Sequence, residues 1–326
     1  MQNRIAPVLE ARGLCKSYAE PNGAHLFGHR RNPAVQGVSF AIHSGETFGI
    51  VGESGCGKST VAKLLMGLER PDAGEVYFRG ARIDKLSPAK LRPLRPRFQM
   101  VFQDSSSSLN GRKRVQDILA EPMLYHRIVD RDRIRARVEE LLTMVGLPVN
   151  AMQRYPHEFS GGQRQRICIA KALSLNPELV VLDEPVSALD VSVQAQILNL
   201  LRDLQEQLGL AYLFIGHGLG AVHYISHRIA VMYRGRIVEQ GDSEELFLHP
   251  AHPYTRALLD AAPSADYELR NRRRIVLRGE APDADWSGGC AFRGRCPCAD
   301  DGCTHACGEM RPVAPGSDHL CACDRR

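Results

Sequence analysis

The chain has 326 residues, more than one ordinary domain needs, and its 44% hydrophobic and 24% charged content is a globular balance that excludes wholesale disorder. A formal charge of +5 is too mild for a nucleic-acid interface, which gathers basic residues into a far stronger patch. No run approaches the roughly 18 apolar residues of a membrane span, and residues 1–12 lack a signal-peptide core, so a cytosolic chain that reaches membranes only through a partner is expected.

Residues 8–18 read as a strand and turn, and residues 21–33, rich in Gly, Pro, Asn, His and Arg, as an exposed loop. Residues 35–50 hold strand-like runs broken at Ser44-Gly45. Residues 58–68 predict a helix with Val61, Leu64, Leu65 and Leu68 on its apolar face. Short strands are expected at 75–78 and 100–102. The spacing of Ile134, Val138, Leu141, Leu142 and Val145 predicts a helix that Gly146 stops. The apolar runs 179–182 and 210–215 read as strands buried on both faces, with a helix over 193–208 between them. A hairpin is expected around Arg234-Gly235. Beyond residue 242 come two helices (244–248 and 254–262), an Arg-rich link (270–278) and a tail from about 280 rich in Pro, Gly and Cys. No internal repeat is visible.

Two motifs carry phosphate chemistry. Gly52-Glu53-Ser54-Gly55-Cys56-Gly57-Lys58-Ser59-Thr60 fits G-x-x-x-x-G-K-[ST] between a strand and a helix. Gly52, Gly55 and Gly57, with Cys56 between them, let backbone N–H groups face phosphate, and the helix adds its positive N-terminus. Lys58 supplies a charge for the β and γ phosphates, and Ser59 a hydroxyl for Mg²⁺. The second motif ends the apolar strand 179–182 in Asp183-Glu184. A carboxylate delivered beside a P-loop suits the Mg²⁺ shell, which fits Asp183, and a neighbouring one can activate water, which fits Glu184.

Phe159-Ser160-Gly161-Gly162-Gln163-Arg164-Gln165-Arg166 resembles the signature motif of ABC ATPases, placed between the two nucleotide motifs in family order. Ser160 and two glycines before a helix make a second anion-binding N-terminus, one more than a single ATP needs. The resemblance implies an α/β P-loop NTPase of the ABC ATPase type, spanning 1–241, with a helical signature subdomain at about 104–175 and a C-terminal extension over 242–326. It implies that Ser160, Gly161, Gly162 and Gln163 contact ATP held by a partner subunit, so that two ATPs are sandwiched head to tail. It further implies adenine stacking by Tyr18, Mg²⁺ and water contacts for Gln103, a γ-phosphate contact for His217, and a link between the two sites through residues 187–190. One departure stands out: Gly216 and Gly218 flank His217 where the family commonly has Ser and Asp. Slower or more partner-dependent hydrolysis is expected from that looser backbone.

Residues 155–159, 184–192 and 252–259 are similar to oligopeptide and dipeptide importer ATPases, most of all to the second ATPase of dipeptide importers. The implied partners are a second ATPase (a sister chain or a copy), two transmembrane permease subunits and, indirectly, an external peptide-binding protein, with no nucleic acid. Nickel or another small solute as cargo, a low-turnover regulatory subunit and a permease-free ABC protein acting on ribosomes or DNA are the alternatives. The last usually carries two fused cassettes or a coiled coil, and one P-loop and no heptad run are present.

Seven of the ten cysteines lie between Cys290 and Cys323, which in a reducing compartment suggests metal more than disulfides. The resemblance implies that Cys290, Cys296, Cys303 and Cys323 can hold an iron–sulfur cluster of the 4Fe–4S type. Cys323 follows His319 as the family's last cysteine does, while Cys298, Cys307 and Cys321 keep the ligand set open and zinc remains an alternative.

Overall fold

A computed structural model describes residues 6–19, 31–261, 289–304 and 308–323. The chain begins with strands β1 (Leu9–Ala19), β2 (Arg31–Ile42) and β3 (Thr47–Val51), then helix α1 (Lys58–Leu65) and the hairpin β4 (Ala73–Phe78) and β5 (Ala81–Arg82). A short helix α2 (Pro88–Leu91) leads to β6 (Phe98–Val101). The helices α3 (Ser105–Ser108), α4 (Val115–His126), α5 (Ile134–Met144) and α6 (Gly161–Leu173) follow before β7 (Leu179–Asp183). Next come α7 (Val191–Leu208), β8 (Ala211–Gly216), α8 (Leu219–Ile225), the hairpin β9 (Arg228–Tyr233) and β10 (Arg236–Asp242), α9 (Ser243–Leu248) and α10 (Pro253–Ala261). The tail adds β11 (Arg311–Pro312) and β12 (Leu320–Cys321).

Among the described residues the strands form two sheets, β2-β1-β4-β5 and β11-β12-β10-β9-β3-β8-β7-β6. In the larger one β6, β7, β8, β3 and β9 run parallel. Every residue of β3, β7 and β8 is buried, as apolar strands covered on both faces require. Side chains of a strand alternate between its faces, so β7 feeds two cores. Val180 and Leu182 join the helices α4 to α7, while Leu179 and Val181 join α1 and the smaller sheet.

Three local expectations need correction. Residues 31–33 belong to β2, where Pro33 is tolerated because β2 is an edge strand; residues 21–30 lie outside the described part. Helix α1 stops at Leu65 because Gly67 turns left-handed (φ 58°), leaving Leu68 half exposed instead of on the apolar face. The strand expected at 100–102 is β6, which runs from Phe98 to Val101 and leaves Phe102 exposed beyond its end. The Arg-rich link 270–278 also lies outside the described residues.

The tail joins the main sheet. β12 pairs antiparallel with β10, Cys321 opposite Glu239. The fully buried Glu239 carboxylate accepts the N–H groups of Ala251 (2.6 Å) and His252 (2.9 Å) and lies 2.7 Å from Nε2 of the buried His319. One acid thereby fixes β10, the start of α10 and the tail together. No helix among the described residues is long and apolar enough to cross a membrane.

A nucleotide site at the carboxyl edge of the parallel sheet

Val51 pairs with Gly216, Asp183 with Ile215 and Val101 with Leu182. That register sets the P-loop, Gln103, Asp183-Glu184 and His217 along one edge, the carboxyl ends of the strands where open α/β sheets bind ligands.

The P-loop wraps tightly. A side chain at Gly57 (φ 105°) would stand 2.1 Å from the Ala34 carbonyl oxygen, and one at Gly52 would stand 2.2 Å from that of Met232. Only glycine allows the loop this close to β2 and β9. The buried Lys58 ammonium donates to the carbonyls of Gly52 (2.8 Å) and Glu53 (3.0 Å) and lies 3.8 Å from Cys56 Sγ. Burial pushes the Cys56 thiol up, with Lys58 pulling the other way. The hydroxyl of Ser59 donates to Asp183 Oδ1 at 3.1 Å. Burial raises the Asp183 carboxyl above its ordinary range, against the pull of Ser59 and Lys58.

Glu184 sits in the left-handed region (φ 48°), which costs a non-glycine residue about 1–3 kcal/mol. Its N–H donates to Ile215 and its carbonyl accepts the Ser187 hydroxyl, so both sides of the strained residue are fixed. One oxygen, Oε2, accepts from Gln103 Nε2 at 2.9 Å and lies 3.6 Å from His217 Nδ1. Gln103, expected to contact water, and His217, expected to contact the γ-phosphate, therefore meet on one oxygen of Glu184, the expected base. Tyr18, at the end of β1, donates its hydroxyl to Glu69, and Thr60 faces the same hydroxyl. Tyr18 is 38% exposed, with the Lys16 ammonium 5.8 Å from its ring centroid.

The signature residues are built differently. Ser160 caps α6 by accepting from the Gln163 N–H (3.3 Å), and the Gln163 side chain accepts from the Ser160 N–H (3.0 Å). Both side chains are exposed and reach their own helix, not the P-loop. A side chain at Gly162 would stand 2.4 Å from Val193 Cγ1, and one at Gly161 3.3 Å from Leu189. The motif is thus seated on the start of α7, next to the loop 187–190.

Neither glycine beside His217 has a left-handed backbone. Gly218 (φ −88°, ψ 108°) is the N-cap of α8 and supplies no side-chain acceptor, although the space around it is open. A Cβ at Gly216 would press to 2.8 Å on Val222. The departure therefore removes a helix cap more than it frees the chain.

In the tail, Cys290 donates its N–H to the Cys303 carbonyl (2.8 Å), and burial pushes the Cys290 thiol up. The Cys296 thiol is pushed to about 11, first by burial, with Cys298, Cys290 and Cys323 adding repulsion. The expected ligands share a neighbourhood, yet among the described residues no three His, Cys, Asp or Glu side chains converge as a metal site. Cys307 lies outside those residues.

Sequence reasoning missed the groups that hold the P-loop from behind. The Glu53 N–H donates to the Tyr254 hydroxyl (3.0 Å), and Arg295 forks onto the Glu53 carboxylate (2.8 and 2.9 Å). With Glu53 and Arg295 242 positions apart, no local pattern announces the pair.

Residues 35–187 match the family model of the ABC transporter, and residues 238–303 match that of the oligopeptide/dipeptide transporter C-terminal region. Over 321 residues the chain is 50% identical to the oligopeptide transport ATP-binding protein AppF of Bacillus subtilis (strain 168), covering 97% of this chain and 96% of that one. The chain belongs to the ABC ATPases of the oligopeptide transporter branch. It is also 48% identical over 287 residues to the oligopeptide transport ATP-binding protein OppF of Escherichia coli (strain K12), covering 87% of this chain and 85% of that protein. Among solved structures it resembles the ATP-binding cassette MJ0796, a dimer in a post-hydrolysis state bound to ADP and Pi. The TM-score is 0.64 at 27% identity, over 72% of this chain and 98% of that one. This ABC ATPase thus has the P-loop NTPase fold with mixed α/β sheets, and ATP is its substrate.

Proposed function

We propose that this ABC ATPase drives the import of dipeptides or oligopeptides through a separate permease at the cytoplasmic face of the membrane. The relatives named for oligopeptide transport and the matching C-terminal region support that cargo class. The convergence of Gln103 and His217 on Glu184, beside the Ser59–Asp183 pair, carries the catalytic part of the reading.

In this reading the P-loop N–H groups, Lys58, Ser59 and Thr60 hold the triphosphate, and Tyr18 takes the adenine. Ser59, Gln103 and Asp183 form an oxygen-rich set that suits Mg²⁺, which when bound neutralises phosphate charge. Glu184 takes the proton of the attacking water, held in place by Gln103, and His217 donates to the γ-phosphate oxygens. Ser160, Gly161, Gly162 and Gln163 close over the ATP of a second ATPase subunit, a copy or a sister chain. Closure moves two permease subunits through the surface near Gln103 and the exposed Phe102, and a binding protein outside selects the peptide. The helices of about 104–175 form the signature subdomain, and residues 242–326 the importer extension.

The tail's iron–sulfur reading, through Cys290, Cys296, Cys303 and Cys323, rests on the resemblance to the family, with zinc as the second candidate for four thiolates. Iron and zinc analysis of anaerobically purified protein tests it: iron far below four equivalents per chain removes the cluster, and zinc far below one removes the alternative. Slower turnover is a second reading of the ATPase, favoured by the uncapped α8 beside His217. The decisive experiment is ATP-dependent uptake of labelled peptides into vesicles containing the reconstituted complex. Hydrolysis without peptide uptake, across a panel of di- to pentapeptides, would sink the cargo assignment.

A further inference from the structure

We propose that the C-terminal tail completes the phosphate-binding loop, with Arg295 and Tyr254 acting as positioning residues on Glu53. This deepens the ATPase reading and rests on it. Glu53 is the second residue of the P-loop, and each of its polar handles is occupied. Its N–H goes to Tyr254 (3.0 Å), its carbonyl receives Lys58 (3.0 Å), and its carboxylate receives both Nη1 and Nη2 of Arg295 (2.8 and 2.9 Å). A planar fork on a carboxylate fixes direction as well as distance.

The fork is itself held. Arg295 closes a 3-10 turn whose N-cap is Phe292, and its N–H donates to the Phe292 carbonyl at 3.0 Å. Phe292 is buried, with ring centroids 5.3 Å from Tyr233, 5.4 Å from Tyr254 and 5.8 Å from His252. An aromatic box thereby sets where the guanidinium stands.

Stability alone is a poor explanation for this arrangement. The Arg295 side chain is only 7% exposed, and its guanidinium also faces the buried Tyr233 hydroxyl. Desolvating a guanidinium to this degree offsets most of what the ion pair contributes to folding, compared with an apolar filling. The pair does place a positive charge behind the loop. A carboxylate at Glu53 without that charge would repel an incoming triphosphate and release the carbonyl that Lys58 leans on.

The test is ATP affinity of the purified full-length chain, followed by KM and kcat of the assembled transporter. Arg295→Gln is expected to weaken ATP binding and raise KM about tenfold, with kcat changed by less than about threefold. Adding Glu53→Gln to Arg295→Gln removes the unmatched charge and is expected to recover most of that loss. Tyr254→Phe keeps the aromatic box, removes one acceptor and is expected to raise KM about threefold. Unchanged ATP affinity in Arg295→Gln, with only a lower melting temperature, would overturn the proposal. If Arg295→Gln fails to fold, Tyr254→Phe decides: an unchanged KM refutes the clamp. Failure of the unmodified chain to bind ATP would instead sink the ATPase reading itself.

Discussion

The molecule carries two glycine-and-serine turns, each opening a helix, and they are finished in opposite ways. The P-loop turns its polar groups inward: Lys58 holds the loop's own carbonyls, Ser59 holds Asp183, and the tail grips Glu53. The signature turn spends Ser160 and Gln163 on its own helix cap and leaves them exposed. The same local chemistry becomes a complete cradle when neighbouring elements surround it, and a half-site when they do not. In the proposed reading a second subunit completes the half-site, and the difference between the turns is what a pair of ATPases would use.

The hardest blow to the cradle is Glu184→Gln. Hydrolysis by the assembled transporter is expected to fall about 10³-fold, while equilibrium ATP binding to the chain stays within about threefold of the unmodified protein. Equal loss of binding and hydrolysis would show that Glu184 shapes the cradle instead of acting on water.

Acid should strike behind the cradle and spare the signature turn. Burial, with Arg256 nearby, holds the His252 imidazole down at about 4, and its ring accepts the Tyr254 N–H at 3.0 Å. A histidine kept neutral by folding takes up a proton when it unfolds. Its stabilisation is therefore present above about 6.5 and is lost as pH falls from 6.5 toward 4, by roughly 3 kcal/mol in full. Denaturation at pH 7 and pH 4.5 should show a larger drop for the unmodified chain than for His252→Gln. Asp183 has the opposite sign. Its carboxyl is raised by burial, so Asp183→Asn should gain most melting temperature at neutral and alkaline pH, with the advantage shrinking on acidification.

Smaller effects belong to the signature side. Ser160→Ala removes half of a capping box and should cost about 1 kcal/mol of stability, near 2 °C in melting temperature. ATP affinity of the isolated chain should not change, whereas hydrolysis in the assembled transporter should drop. A drop in affinity of the isolated chain would contradict the half-site reading. The smallest effect expected is that of Gly218→Asp, which has room for its side chain and supplies α8 with a cap worth a few tenths of a kcal/mol. A transporter whose hydrolysis does not quicken with it would remove the uncapped helix as a cause of slow turnover.

The edge bearing the site was legible because it follows from patterns local to each strand. Apolar runs ending in Gly52, Asp183 and His217 name their own place at a sheet's carboxyl end. The strain at Glu184 and the meeting of Gln103 with His217 on one oxygen were not legible, since they depend on the register of β6, β7 and β8. β12 escaped notice for another reason. Two residues, Leu320 and Cys321, carry no periodicity, and their pairing with β10 sits beside a His319–Glu239 contact made 80 positions apart. Leu68 shows the remaining failure: helical spacing continued past Gly67, but the left-handed turn there ended the helix first.

The reach from Glu53 to Arg295 also has a bearing on biosynthesis. A ribosome that has made the whole parallel sheet has still to deliver the guanidinium that answers Glu53. Until it does, the Glu53 carboxylate of the newborn cassette is unopposed in the proposed arrangement, and a chain cut short before Arg295 is expected to keep the roughly tenfold handicap. On that proposal, full affinity for nucleotide therefore arrives late in translation, once Arg295 has been added.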